Sequence, residues 1–96
     1  MRIVLRREDY STSRYALDAG DTALAFAGEH DSFELPYREL RDFCITQDPR
    51  GRVYFTMLGA GRLYEGQIPQ PQEIEPFVAA LNARLGGIIS IEVKKA

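Results

Sequence analysis

Between Ser32 and Gln47 the chain reads SFELPYRELRDFCITQ, with Phe33, Leu35, Tyr37, Leu40, Phe43 and Ile45 recurring mostly at every second position on either side of a proline. A period of two belongs to a strand with one buried face; a helix would space its apolar residues by three and four. Pro36 has no N–H to give to a ladder, so the chain must bend or lie at an edge there, and Tyr37 to Leu40 alternatively form one helical turn. The stretch predicts the middle of a curved antiparallel sheet.

Its neighbours carry the same period. Arg2 to Arg7 reads as a first strand, Glu8 to Thr12 as a turn, and Arg14 to Leu17 as a second strand with Tyr15 and Leu17 on one face. Asp18-Ala19-Gly20-Asp21 predicts a tight hairpin with Gly20 at positive φ. Thr22 to Ala27 then returns with Leu24 and Phe26 on one face and Ala23, Ala25 and Ala27 on the other, where small side chains imply a closely packed layer. Gly28 to Asp31 turns into the central stretch. Asp48-Pro49-Arg50-Gly51 has the residues a type I turn prefers at its first, second and fourth positions. Arg52 to Leu58 is apolar on both faces, so it is either covered twice or offers one side to a partner. After Gly59-Ala60-Gly61 comes Arg62 to Ile68, and five to seven strands in succession make a meander.

The pattern changes at Pro69. Pro69, Pro71 and Pro76 exclude a strand, and Ile74, Phe77, Val78, Leu81 and Leu85 fall at helical spacing before Gly86-Gly87. A helix over about 72–86, with Pro76 tolerated at the first helical position, would lay this apolar stripe over the core as a lid. A short strand over about 88–94 follows, ending in Lys94 and Lys95, a pairing that discourages edge-to-edge aggregation.

Ninety-six residues, 45% hydrophobic, suit one folded unit over 1–96. Cys44 has no second cysteine to pair with, and no run approaches the ~20 apolar residues of a membrane span. The charged amino terminus, MRIVLRRED, does not read as a signal peptide, which places the chain in the cytoplasm. The net charge of −2 is unevenly laid out: residues 1–15 hold four arginines against Glu8 and Asp9, and residues 16–48 hold eight acids against Arg38 and Arg41. An acidic middle argues against nucleic acid as a partner, because phosphate binding rests on many lysines and arginines.

No constellation of residues announces a reaction. Glu29-His30-Asp31 reads as a turn, since adjacent residues rarely converge on one ion and the chain has a single histidine. Cys44, between Phe43 and Ile45, reads as a strand-face thiol without a base. Gly59-Ala60-Gly61 joins two strands, so no helix amino terminus follows to hold a phosphate. Glu34, Glu39 and Asp42 read as a solvated acidic face. The sequence therefore calls for no catalytic residue, cofactor or metal.

The apolar-x-apolar-Pro-Tyr-x-x-Leu-x-x-Phe pattern around Leu35, Pro36, Tyr37, Leu40 and Phe43, the hairpin Arg52 to Ile68 and the helix from Pro76 to Leu85 together resemble the pleckstrin-homology-like (PH-like) superfold, in particular its short bacterial members. The resemblance covers about residues 13–86. It implies a mainly β fold, a bent antiparallel barrel or split sheet capped by the amphipathic helix, with the strand after it as an addition. It also implies a module that binds phosphoinositides, peptides or proteins. The family's inositide site places a basic residue in the first strand and a basic-x-basic pair in the second; Arg7 and Arg14 match the first two, and Ala16 stands at the third.

Three readings of function result. The first is a non-catalytic protein- or peptide-interaction module, self-association included, working through a strand edge or the 52–68 hairpin with Tyr54, Leu58 and Tyr64. Five tyrosines without a tryptophan favour an interface, because tyrosine is large, stiff and polar at one end. The second is a domain for anionic lipid or a small anion using Arg7, Arg14 and Arg52, which keeps contact with a membrane surface open. The third, a small enzyme, has the least to carry it.

Overall fold

The computed structural model describes residues 1–86 and the backbone of 91–95. Eight strands among these residues form β1 (Arg2–Arg6), β2 (Thr12–Ala19), β3 (Ala23–Gly28), β4 (Ser32–Pro36), β5 (Leu40–Gln47), β6 (Val53–Gly59), β7 (Arg62–Ile68) and β8 (Ile91–Lys95). One helix, α1 (Ile74–Leu85), follows a 3-10 turn over Pro71–Glu73. All eight strands belong to one sheet in the order β4-β3-β2-β1-β7-β6-β5-β8. The sheet does not close, and β4 and β8 are its end strands.

Ser32 to Gln47 is two strands at different places in that sheet. Among the described residues β4 pairs only with β3, and β5 lies between β6 and β8. Between them Tyr37–Glu39 makes one 3-10 turn, the alternative that the proline had left open. Leu40 and Phe43 are both buried although three residues apart, because the β5–β6 register shifts between Leu40 and Asp42. A bulge adds one residue on one strand and restores the inward face.

The turns have local causes. At Asp48–Gly51 the Gly51 N–H donates to the Asp48 carbonyl (3.0 Å), and Asp48 Oδ1 accepts from the N–H groups of Arg50 and Arg52 (2.9 Å each). The Ala60-Gly61 turn has φ of 53° and 73°, the left-handed pair whose twist suits a two-residue hairpin. Gly20 departs from the expectation, since positive φ is confined to other residues. What requires glycine there is space: a Cβ would stand 2.8 Å from the Ala23 carbonyl oxygen.

The inward faces of the strands and the helix meet in one core of Ile3, Leu17, Leu24, Phe26, Leu35, Phe43, Ile45, Phe55, Met57, Ile68 and their neighbours. Phe77, Leu81 and Leu85 of α1 are buried in it, with the Phe77 ring 6.0 Å from that of Phe43. The stripe read from the sequence is thus the helix's buried face, and each such side chain contributes about 1.5–3 kcal/mol through its removal from water. Pro76 is the third residue of α1 and not its first, since the helix starts at Ile74; it still lies in the first turn, where its missing N–H breaks no hydrogen bond. On the alanine face of β3, Ala23 is buried, Ala25 half-buried and Ala27 exposed, so the face is covered closely only at its first residue.

The last strand differs from its neighbours. β8 runs parallel to β5, with Phe43 opposite Ile91 and Gln47 opposite Lys95. The meander is otherwise antiparallel, and its two runs, β1–β4 and β5–β7, join where β1 pairs with β7 through Val4–Gln67, Leu5–Gly66 and Arg6–Glu65. The beginning of the strand expected over 88–94 lies outside the described residues.

Candidate interaction surfaces

β6 alternates strictly between core and water. Val53, Phe55 and Met57 point inward, and Tyr54, Thr56 and Leu58 point outward. Leu58 is 42% exposed and Tyr54 37%. Directly opposite Leu58 on β7 stands Leu63, which is 61% exposed. This pair lies one step in from the closing Gly59–Arg62 pair of the turn, the position where facing side chains approach most closely. Leu58 and Leu63 thus stand side by side in water, the two exposed leucines among the described residues.

Tyr64 does not belong to this face. It stands opposite Met57 on the inner side of the sheet, its ring stacked 6.0 Å from Phe26 and 6.2 Å from Phe33, with the Arg62 guanidinium 5.5 Å above it. The outward group is therefore Tyr54, Leu58 and Leu63. The sequence held the signal for Leu63, since it alternates against Tyr64 and Ile68.

The three arginines do not converge. Arg7, just beyond β1, donates through Nε to Ser13 Oγ (2.8 Å) and through a terminal nitrogen to the Tyr15 hydroxyl (2.8 Å), and pairs with Asp31 at 3.5 Å. Arg14 is exposed on β2 opposite Val4. Arg52 pairs with Asp48 at 3.0 Å at the β5–β6 turn. The row Arg14, Val4, Gln67, Tyr54 sets β2 three strand spacings from β6, roughly 14 Å at about 4.8 Å each.

A cleft of about 780 Å³ opens at the rim beside the β1–β2 loop, with Leu5, Phe33 and Tyr64 in its wall. Its charges nearly balance: Arg6, Arg7 and Arg62 face Glu8, Asp9, Asp31 and Glu65. Arg6 pairs with Glu65, Arg7 with Asp31 and Arg62 with Glu8. A free anion would have to displace a carboxylate from each arginine it used.

At the cleft's edge the Tyr15 hydroxyl donates to Asp31 Oδ1 at 2.7 Å. Burial, with the Asp31 carboxylate second, raises the phenol's pKa above its ordinary value. Burial likewise raises that of Tyr37, whose hydroxyl donates to the Gly20 carbonyl at 2.6 Å. The Ser11 hydroxyl and N–H hold the Asp9 carboxyl low. At Asp48 desolvation pulls upward, but the hydrogen bonds from Arg52 and Arg50 outweigh it and the pKa falls. These groups brace loops.

Of Glu29-His30-Asp31, the first two side chains are exposed and Asp31 turns to Tyr15. Among the described residues no three His, Cys, Asp or Glu side chains are grouped to hold a metal ion. Cys44 is half-buried, its Sγ 3.8 Å from Thr46 Oγ1. No helix of the described residues is long and apolar enough to cross a membrane. Comparison with family models, curated proteins and solved structures gives no match.

Proposed function

We propose that this chain is a non-catalytic protein-interaction module of PH-like type, acting through the outward face of the β6–β7 hairpin. The observation that carries it is the Leu58–Leu63 pair, two apolar side chains opposite each other and in water on a face whose inner side is already anchored in the core. Surface leucines scattered singly need no explanation, but two adjoining ones, with Tyr54 further along the same face, resemble the centre of an interface. Thr56 between Tyr54 and Leu58 and Gln67 opposite Tyr54 supply the polar surround.

The PH-like reading draws support from the strand order, in which a four-stranded and a three-stranded meander join at β1–β7 and part between β4 and β5, and from the helix buried against the inner side. The near-neutral cleft and the separated arginines favour a protein partner over an anionic lipid.

The test compares wild type with the Leu58→Asp/Leu63→Asp double variant. Both are used as bait in a lysate of the source cells, and self-association is followed by sedimentation. A protein, or a second copy, held by wild type and released by the double variant supports the reading. Equal retention by both baits, with both monomeric at high concentration, overturns it.

A further inference from the structure

We propose that the edge of β4 left unpaired among the described residues binds an extended basic peptide as an added strand. This site lies at the end of the sheet and goes beyond the hairpin face. The phase of the β3–β4 ladder is fixed at both ends: Gly28 N–H donates to the Asp31 carbonyl at 2.9 Å, and Tyr37 N–H to that of Thr22 at 3.1 Å. The pairs Phe26–Phe33 and Leu24–Leu35 fall in step with these, and Ala27–Ser32, Ala25–Glu34 and Ala23–Pro36 fall between. An antiparallel ladder alternates, so Phe33 and Leu35 spend their backbone groups on β3 while Ser32 and Glu34 turn theirs away from the sheet. Pro36 shares that outward phase and has no N–H, so an added ladder ends there.

The chemistry of the occupant comes from the side chains along this edge. Glu34 is exposed on this edge, between Ser32 and the half-exposed Pro36, whereas Asp31 is turned to Tyr15 and Arg7 on the far side of β3. Two β4 strands meeting about a twofold axis at Glu34 would set that carboxylate opposite its copy, and like charges across a ladder are destabilising. A strand carrying lysine or arginine opposite Glu34 gains the opposite pairing. The next residue of that strand, opposite Phe33, points to the inner side, where Phe33 forms the wall of the rim cleft. The edge therefore selects a peptide alternating basic and apolar residues, and strand addition supplies the main-chain part of its affinity.

The probe is a capped, fluorescein-labelled pentapeptide, lysine-valine-lysine-leucine-lysine, titrated into the full chain with amide hydrogen exchange measured in parallel. Saturable binding is expected, with exchange at Ser32 and Glu34 slowed at least about tenfold and that at Phe33 and Leu35 little changed. Glu34→Lys weakens binding about threefold to tenfold, and N-methylation of alternate peptide amides abolishes it in one of the two phases. Leu58→Asp leaves it unchanged, which separates this site from the hairpin face. No saturable binding, or binding that leaves the Ser32 and Glu34 amides exchanging freely, overturns the proposal. A concentration-dependent dimer that protects the same two amides without peptide also overturns it, in favour of a second copy.

Discussion

The Tyr15 hydroxyl bridges Asp31, to which it donates at 2.7 Å, and Arg7, from which it accepts at 2.8 Å. One buried ring of β2 thereby ties the β1–β2 loop to the β3–β4 turn. Tyr15→Phe keeps the ring, which packs edge-on to Phe26 and Phe33, and removes only the bridge. Urea unfolding should show a loss of about 1 kcal/mol, the usual net worth of a hydrogen bond, with the slope unchanged.

The two raised tyrosines set an alkaline limit. A phenol whose pKa is higher in the folded than in the unfolded chain binds its proton more tightly when folded, so its contribution is complete below the unfolded value near 10. It is lost as pH rises through the folded value. Thermal unfolding should therefore show wild type losing stability above about pH 10, and Tyr15→Phe/Tyr37→Phe losing less over the same interval.

Asp48 acts in the opposite direction. Its lowered pKa means that its contribution is present above the ordinary carboxylate range and is lost as pH falls through the folded value. Asp48→Asn should lower the melting temperature at neutral pH and flatten the acid limb. An unchanged acid limb would remove Asp48 from that role.

The helix tests the core. Leu81 is fully buried, and Leu81→Ala should cost about 2–5 kcal/mol in denaturant unfolding. Leu58→Asp, on the outward face, should stay within about 0.5 kcal/mol of wild type. Similar losses for the two would contradict the sidedness of β6.

Anionic vesicles discriminate the arginine reading. Phosphatidylserine vesicles at physiological salt should not sediment the chain, because Arg7 and Arg52 already face carboxylates. Salt-sensitive binding weakened by Arg7→Ala and Arg14→Ala would restore that reading.

Much of this architecture was legible in the sequence where one residue's chemistry decides locally. Asp48, Pro49 and Gly51 specify their turn, and the spacing from Ile74 to Leu85 specifies which side of the helix is buried. Pro36 announced an interruption, but nothing local says that the strands on either side of it pair with different partners; that depends on β1 meeting β7 more than sixty residues along the chain. Tyr64 shows the same limit. Its alternation put it opposite Leu63, yet only the approach of Phe26 and Phe33 from the far meander identifies its side as the inner one. The parallel pairing of β8 also had no local signal, since Ile-rich strands pair in either direction.

The β1–β7 junction has a consequence for synthesis. Val4 leaves the ribosome early, but its partner Gln67 follows only after sixty-two intervening residues. Until then a nascent chain can assemble β1 to β4 with the outer flank of its very first strand unsatisfied, a template for mispairing between neighbouring polysomal chains. Slowing translation between the codons for β4 and β7 should lengthen that interval and increase misassembly, without altering the finished molecule.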